Sequence, residues 1–268
     1  MKNAIFLDID GTLLPFGAHD VPESAAEAVR LARKKGNLVF INTGRCRLEV
    51  LPKFLELGFD GIICSNAMYI EEKGEILKKE SLDAALVRRI GDFLEEKGIG
   101  YFFEGHDAVC ASPSFFLQLK KCVDETVAKT MTEQFPSIKE SSLVYDGIAK
   151  INFFQRDNAV SKAREFFADE LQINEWSLIG DRANMGEMTL PCADKANGVD
   201  FMLLRHKIVR ENSFAFGDTE GDAGMVKRCG TGVAMGNASE ALKAVADFVT
   251  DSVEADGIYN AFKKFDLI

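Results

Sequence analysis

Along the first eighty residues, short unbroken apolar runs alternate with longer amphipathic stretches, the pattern of a parallel sheet covered on both faces. Ala4 to Leu7 and Leu38 to Ile41 are predicted strands. Between them, Pro22 to Lys35 carries Ala25, Ala28, Val29 and Ala32 on one face, opens on a proline and closes at Gly36, as a helix does. A helix over Cys46 to Leu57 is expected to stop at Gly58, a third strand runs from Ile62 to Cys64, and residues 67–78 read as a hairpin turning at Glu72-Lys73-Gly74. From about Ser81 the pattern changes to an α+β one. It predicts a helix over Leu82 to Lys97, an aromatic strand at Tyr101 to Phe103, an irregular stretch through Pro113 and a helix over Lys121 to Gln134. A strand over Ile148 to Phe154, a helix over Ala159 to Leu171 and strands near Trp176 to Ile179 and Met185 to Leu190 follow. After Lys195 the first pattern returns, with strands at Ser213 to Phe216 and Gly232 to Met235 among helices. The expected architecture is α/β: a Rossmann-like, doubly wound parallel-sheet core over residues 1–82 and 188–268, interrupted by an inserted α+β domain over 83–187.

Composition narrows the function classes. The chain has 268 residues, 47% hydrophobic and 28% charged, and a formal net charge of −10, which opposes broad attraction to nucleic acid or an anionic membrane. The first apolar run is cut by Asp8 and Asp10 before it could form a signal-peptide core, and no stretch approaches the roughly 18 apolar residues of a membrane helix. A cytoplasmic protein without nucleic-acid or membrane partners is expected. Six cysteines lack any Cys-x-x-Cys pair or clustering with the three histidines, so they read as reduced, mostly buried thiols.

In an open α/β sheet the ligand crevice lies at the carboxyl ends of the strands. The first strand ends in Asp8-Ile9-Asp10-Gly11-Thr12, with two carboxylates two residues apart and a glycine able to turn the chain sharply. The Ser213 strand ends in Gly217-Asp218-Thr219-Glu220-Gly221-Asp222, a second acidic pair. Each acid alone could cap a turn in solvent. Four carboxylates gathered at one sheet edge would repel by about 4 kcal/mol per pair at ~4 Å and an effective dielectric near 20, so something positive belongs among them. Mg²⁺, a hard cation that bridges to phosphate oxygens, suits such a set.

With these motifs in hand, the sequence resembles the haloacid dehalogenase superfamily. Asp8-Ile9-Asp10-Gly11-Thr12 is similar to its first signature, Asn42-Thr43-Gly44-Arg45 to its second, Lys195 within Ala193 to Gly198 to its third, and Gly217 to Asp222 to its fourth. Val233 to Ala238 and the stretch from Val249 to Gly257 resemble the C-terminal pattern of the Cof-type phosphatases. The resemblance implies a Mg²⁺-dependent phosphatase of small phosphorylated metabolites, with sugar phosphates the leading class. It implies Asp8 as the nucleophile forming an aspartyl-phosphate, and Asp10 as the acid that protonates the leaving oxygen and then the base that activates water. Thr43 and Lys195 would hold and neutralise the phosphate, Gly44, Arg45 and Asn66 would face the substrate, and Asp8, Asp10, Asp218 and Asp222 would bind the metal, Asp10 through its carbonyl. Two positions depart from the family: Gly221 stands where Asn is common, and Ala67 follows Asn66 where Gly is common. The long gap between Thr43 and Lys195 implies a C2-type cap that roofs the site. Glu104, His106, Asp107, Asp146, Arg182 and Asn184 are polar cap positions for which solvent exposure is expected, and Tyr101, Phe102, Phe103, Phe115, Phe116, Phe153 and Phe154 are expected in the cap core. A phosphomutase using the same intermediate, or a sugar-phosphate-binding protein with weak turnover, remains open on these residues.

Overall fold

The computed structural model describes residues 2–18, 20–122, 139–140, 142–176 and 184–268. The chain folds into two compact units: residues 1–45, 50–78 and 193–268 form one, and 46–49 and 79–192 form the other. These edges lie a few residues outside the sequence-drawn 82/83 and 187/188. Leu82 explains the first: its N–H donates to the carbonyl of Ile148 and its side chain joins the core of the second unit.

The first unit is built on an eight-stranded sheet. Its chain order is β1 (Ala4–Leu7), α1 (Glu23–Lys34), β2 (Leu38–Asn42), α2 (Pro52–Leu55), β3 (Gly61–Cys64), β4 (Tyr69–Glu72) and β5 (Glu75–Lys79). The second unit intervenes with α3 (Ala84–Glu96), β6 (Gly100–Gly105), β7 (Val109–Ala111), α4 (Pro113–Cys122), β8 (Lys139–Glu140), β9 (Ile148–Gln155), α5 (Ala159–Phe167), β10 (Gln172–Trp176) and β11 (Asn184–Thr189). The first unit then resumes with α6 (Lys195–His206), β12 (Ser213–Gly217), α7 (Ala223–Arg228), β13 (Thr231–Ala234), α8 (Glu240–Lys243), β14 (Phe248–Val249) and α9 (Gly257–Lys264).

The core sheet runs β14-β13-β12-β1-β2-β3-β4-β5, parallel from β14 to β3 and antiparallel from β3 to β4. Alternate residues of β1 serve opposite faces, as a period of two requires. Ile5 and Leu7 pack with α1 and α9 through Ala28, Val29 and Phe262, whereas Ala4 and Phe6 pack with α6 and α7 through Val199, Met202 and Met225. Burial on both faces is why these strands read as unbroken apolar runs. The hairpin turns at Lys73 and Gly74, both with positive φ, as a primed two-residue turn demands.

Two expectations change here. The helix drawn over Cys46 to Leu57 is a 3₁₀ turn at Arg47–Glu49 followed by the single turn α2, because Pro52 forces Leu51 into extended backbone (φ −64°, ψ 154°) and cannot donate to a preceding turn. A helix that the pattern does not predict, α4, starts at Pro113, where the missing N–H is harmless, and meets the helix drawn over Lys121 to Gln134 only at Lys121 and Cys122; residues 123–134 lie outside the described residues, as do residues 177–179 of the strand expected over Trp176 to Ile179.

The second unit holds a six-stranded sheet, β10-β11-β9-β6-β7-β8, antiparallel except between β7 and β8. One face, carrying Tyr101, Phe103, Ile151, Phe153 and Met188, packs on α3 and α5. The other joins Phe102, Phe154 and Met185 to Cys46 and to Phe115 and Leu119 of α4, with Phe116 partly buried against them.

Candidate active site

Register places the chemistry. Leu7 pairs with Phe216 on one side and Ile41 on the other, so Asp8, Asp218 and Thr43 follow at the carboxyl ends of three adjacent strands. This is the point from which the chain winds toward β3 in one direction and β14 in the other, the usual place for a ligand crevice in an α/β sheet.

After β1 the chain turns tightly: the N–H groups of Leu13 and Leu14 reach the carbonyl of Ile9, and Gly11 N–H reaches that of Leu14 at 2.8 Å. Gly11 is required twice over, by its φ of +74° and because a Cβ there would lie 2.1 Å from Asp218 Oδ2. The amide of Asn237 donates to the Gly11 carbonyl at 2.8 Å and pins the turn. At β12 the carboxylate of Asp222 folds back, its Oδ2 accepting from the backbone N–H groups of Asp218 and Thr219 at 3.0 Å each. That leaves Asp222 Oδ1 for Lys195, the first residue of α6, whose Nζ donates to Asp222 Oδ1 at 2.6 Å and Asp8 Oδ1 at 2.7 Å. Asn42 fixes the Lys195 backbone by donating to its carbonyl at 2.9 Å. Asp8, Lys195, Asp218 and Asp222 are all buried.

One ammonium therefore faces three buried carboxylates, each offering an oxygen within 4.8 Å of the others. Burial, opposed by Lys195 and reinforced by the charges of Asp222 and Asp10, pushes the Asp8 carboxyl up to about 7. Burial and the charge of Asp8 push Asp218 up to about 8. Burial works against the charge of Lys195, but Asp222 and Asp8 outweigh it and raise its pKa. The surplus is negative, and the donor set is all oxygen, so the residues fit a hard divalent cation such as Mg²⁺.

The other expected residues fall as follows. Thr43 is buried, and its hydroxyl oxygen accepts from the Arg45 N–H at 3.2 Å. Gly44 lies against the side chain of Asn66, whose Oδ1 would be 3.4 Å from a Cβ at Gly44. Ser65, Asn66 and Ala67 all have positive φ (49°, 53° and 67°), an uncommon run for residues with side chains, held where Asn66 N–H meets the Thr43 carbonyl at 3.3 Å. Arg45 directs Nε and Nη2 at the carboxylate of Asp10, at 2.7 and 2.5 Å. The Asp10 side chain is accordingly turned to Arg45, while the acidic trio is Asp8, Asp218 and Asp222. Gly221 is exposed, and a Cβ there would meet only Thr219 Oγ1, at 3.5 Å. Asn42 and Asn237 were within the motifs but carried no assigned role; an amide beside a strand end, able to tie two loops, was the available signal.

Within the second unit, Asp107 and Asp146 are exposed, but Glu104 and His106 are buried, contrary to expectation. Glu104 stands opposite Lys150 in the β6–β9 register and pairs with its ammonium at 3.2 Å; Lys150 also reaches Glu187 at 3.4 Å. Burial raises the Glu104 carboxyl to about 8 despite Lys150. His106 Nε2 lies 2.6 Å from the Glu80 carbonyl. Asn184 accepts from Val160 N–H at 2.7 Å and so caps α5, and Arg182 lies outside the described residues. Cys46, Glu49 and Glu104 also bring ligand atoms within 4.8 Å, but Lys150 already supplies a cation there, so this cluster reads as an internal ion network.

A family model described as haloacid dehalogenase-like hydrolase matches residues 5–262. The chain is 31% identical over 269 residues to YkrA of Bacillus subtilis, covering 98% of each. It is 27% identical over 271 residues to the pyridoxal phosphate phosphatase YbhA of Escherichia coli, covering 95% of each. Among solved structures, the subclass IIB sugar phosphatase BT4131 superposes with a TM-score of 0.83 at 27% identity, covering 99% of this chain and all of that one. Among the described residues, no helix is long and apolar enough to cross a membrane.

Proposed function

The chain belongs to the haloacid dehalogenase-like hydrolases and is a phosphoric monoester hydrolase, and on that premise we propose that it is a Mg²⁺-dependent phosphatase of small phosphorylated metabolites, sugar phosphates first among them, working through an aspartyl-phosphate. The observation that carries this reading is the buried trio of Asp8, Asp218 and Asp222 around the single ammonium of Lys195. In the proposed first half-reaction a carboxylate oxygen of Asp8 attacks phosphorus. The bond from phosphorus to the leaving oxygen breaks with its electron pair on that oxygen, which takes a proton from Asp10. In the second, Asp10 takes a proton from water as the water oxygen attacks phosphorus, and the bond to Asp8 breaks to restore the carboxylate and release phosphate. Lys195, held by Asp222, keeps Asp8 oriented and offsets negative charge, and Thr43 places a hydroxyl at the neighbouring strand end. A bound Mg²⁺, held by Asp8, Asp218 and Asp222, would neutralise charge developing on the phosphoryl oxygens.

Phosphate release from p-nitrophenyl phosphate tests the reading. Asp8→Asn should abolish turnover while the circular dichroism spectrum and melting cooperativity stay intact, and chelation should silence the wild type reversibly. Substantial turnover by Asp8→Asn, or hydrolysis unaffected by chelator, would sink it. A panel of phosphorylated metabolites then identifies the substrate, with sugar phosphates expected at the head.

A further inference from the structure

Arg45 is buried to 7% exposure. Its N–H bonds the Thr43 hydroxyl, its carbonyl accepts from Ser65 N–H at 2.8 Å, and its guanidinium carbon lies 5.7 Å from the centre of the buried Phe54 ring. From that seat Nε and Nη2 donate to both oxygens of Asp10, the two-pronged geometry that suits Arg to carboxylates. These two donors are therefore taken up by a side chain of the same unit. The Asp10 carboxylate also sits close enough to Asp8 and Asp218 for its charge to help raise both of theirs. Each carboxylate oxygen has two lone pairs. The guanidinium takes one on each, fixing the plane of the group.

We propose that Arg45 is the positioning residue of Asp10: it aims the acid–base carboxylate at the leaving oxygen and acts on the reaction through Asp10 rather than by gripping the substrate phosphate. This rests on the acid–base reading of Asp10 given above. Leaving-group dependence separates the two roles, because a proton delivered to the leaving oxygen matters least for good leaving groups and most for poor ones. The experiment measures kcat/KM, with Mg²⁺ present, on substituted phenyl phosphates running from nitrophenyl to methoxyphenyl, for wild type, Arg45→Ala, Arg45→Lys, Asp10→Asn and the double variant Asp10→Asn/Arg45→Ala.

The expected result for Arg45→Ala is a loss of under about threefold on the nitrophenyl ester and about 10- to 100-fold on the methoxyphenyl ester, a share of the roughly 10²–10⁴ that a placed acid–base group contributes. Asp10→Asn should steepen the series in the same sense, and Arg45→Ala should add no further steepening in the Asp10→Asn background, the signature of two residues acting as one. Arg45→Lys, which keeps the charge and stem but not the fork, should steepen it too and serves if Arg45→Ala does not fold. A uniform loss across the series carried by KM would show that Arg45 binds phosphate and overturn the proposal, as would an unchanged slope or additive effects in the double variant. A wild type inactive on every ester would instead refute the phosphatase reading. An unchanged slope in Asp10→Asn would refute the acid role and the positioning role together.

Discussion

Replacing Asp218 by Asn tests the electrostatics of the site without relying on turnover. The change is nearly isosteric and keeps an acceptor for the Thr12 hydroxyl, which reaches Asp218 Oδ1 at 3.4 Å. In the wild type, burial and the charge of Asp8 raise this carboxyl from 3.8 to about 8. A carboxyl whose folded pKa lies above its unfolded value contributes stability below the unfolded pKa and loses it as pH rises toward the folded one. At pH 7 the shift spans about three units at about 1.4 kcal/mol each, a ceiling near 4 kcal/mol. Relaxation and water entry reduce this, so Asp218→Asn should stabilise the metal-free protein by about 2 kcal/mol at pH 7 and under about 1 kcal/mol at pH 5. At roughly 2–4 °C per kcal/mol for a domain of this size, the melting temperature in chelator should rise by about 4–8 °C at pH 7, with the gap widening from pH 5 to 8. Excess Mg²⁺ should raise the melting temperature of the wild type but not of the variant, since only the former keeps the full donor set. A variant that melts at or below the wild type in chelator at pH 8, or a gap that shrinks as pH rises, would refute the reasoning.

Gly11→Ala should abolish activity and lower stability by about 2 kcal/mol or more, since the added methyl meets Asp218 Oδ2 and an L residue is strained at that φ; melting and phosphate release read both effects. Lys150→Met should destabilise the second unit by about 3–5 kcal/mol by leaving Glu104 and Glu187 without their ammonium, and Lys150→Met/Glu104→Gln should recover part of that in chemical denaturation. Gly221→Asn should fold with a melting temperature within about 2 °C of the wild type, because a Cβ fits there, and its Mg²⁺ affinity measured by titration shows what the missing side chain contributes.

Much of the fold was legible locally. The strands from Ala4 to Ser213 announce themselves as apolar runs because both sheet faces are covered, and Gly11 marks a turn because only a residue without Cβ passes beside Asp218. Pro52 was equally visible, and its effect on Leu51 was the signal that the 46–57 helix had to break. The site's acids were legible for the same reason as the strands: each follows an apolar run by one or a few residues, so local spacing alone puts it at a sheet edge.

What the sequence determined by itself is which residue types stand at the strand ends and the helix start: the acids of Asp8 to Asp10 and Asp218 to Asp222, the hydroxyl of Thr43 and the lysine that opens α6. Tertiary structure decided whom each charge faces. Lys195 bridges Asp8 and Asp222 from 187 and 27 positions away, Arg45 closes on Asp10 rather than on open space, and Glu104 is buried because Lys150 stands opposite it across two strands. Periodicity reports how a residue meets its own element, whereas the burial of a charge depends on a partner brought close only by strand order and register.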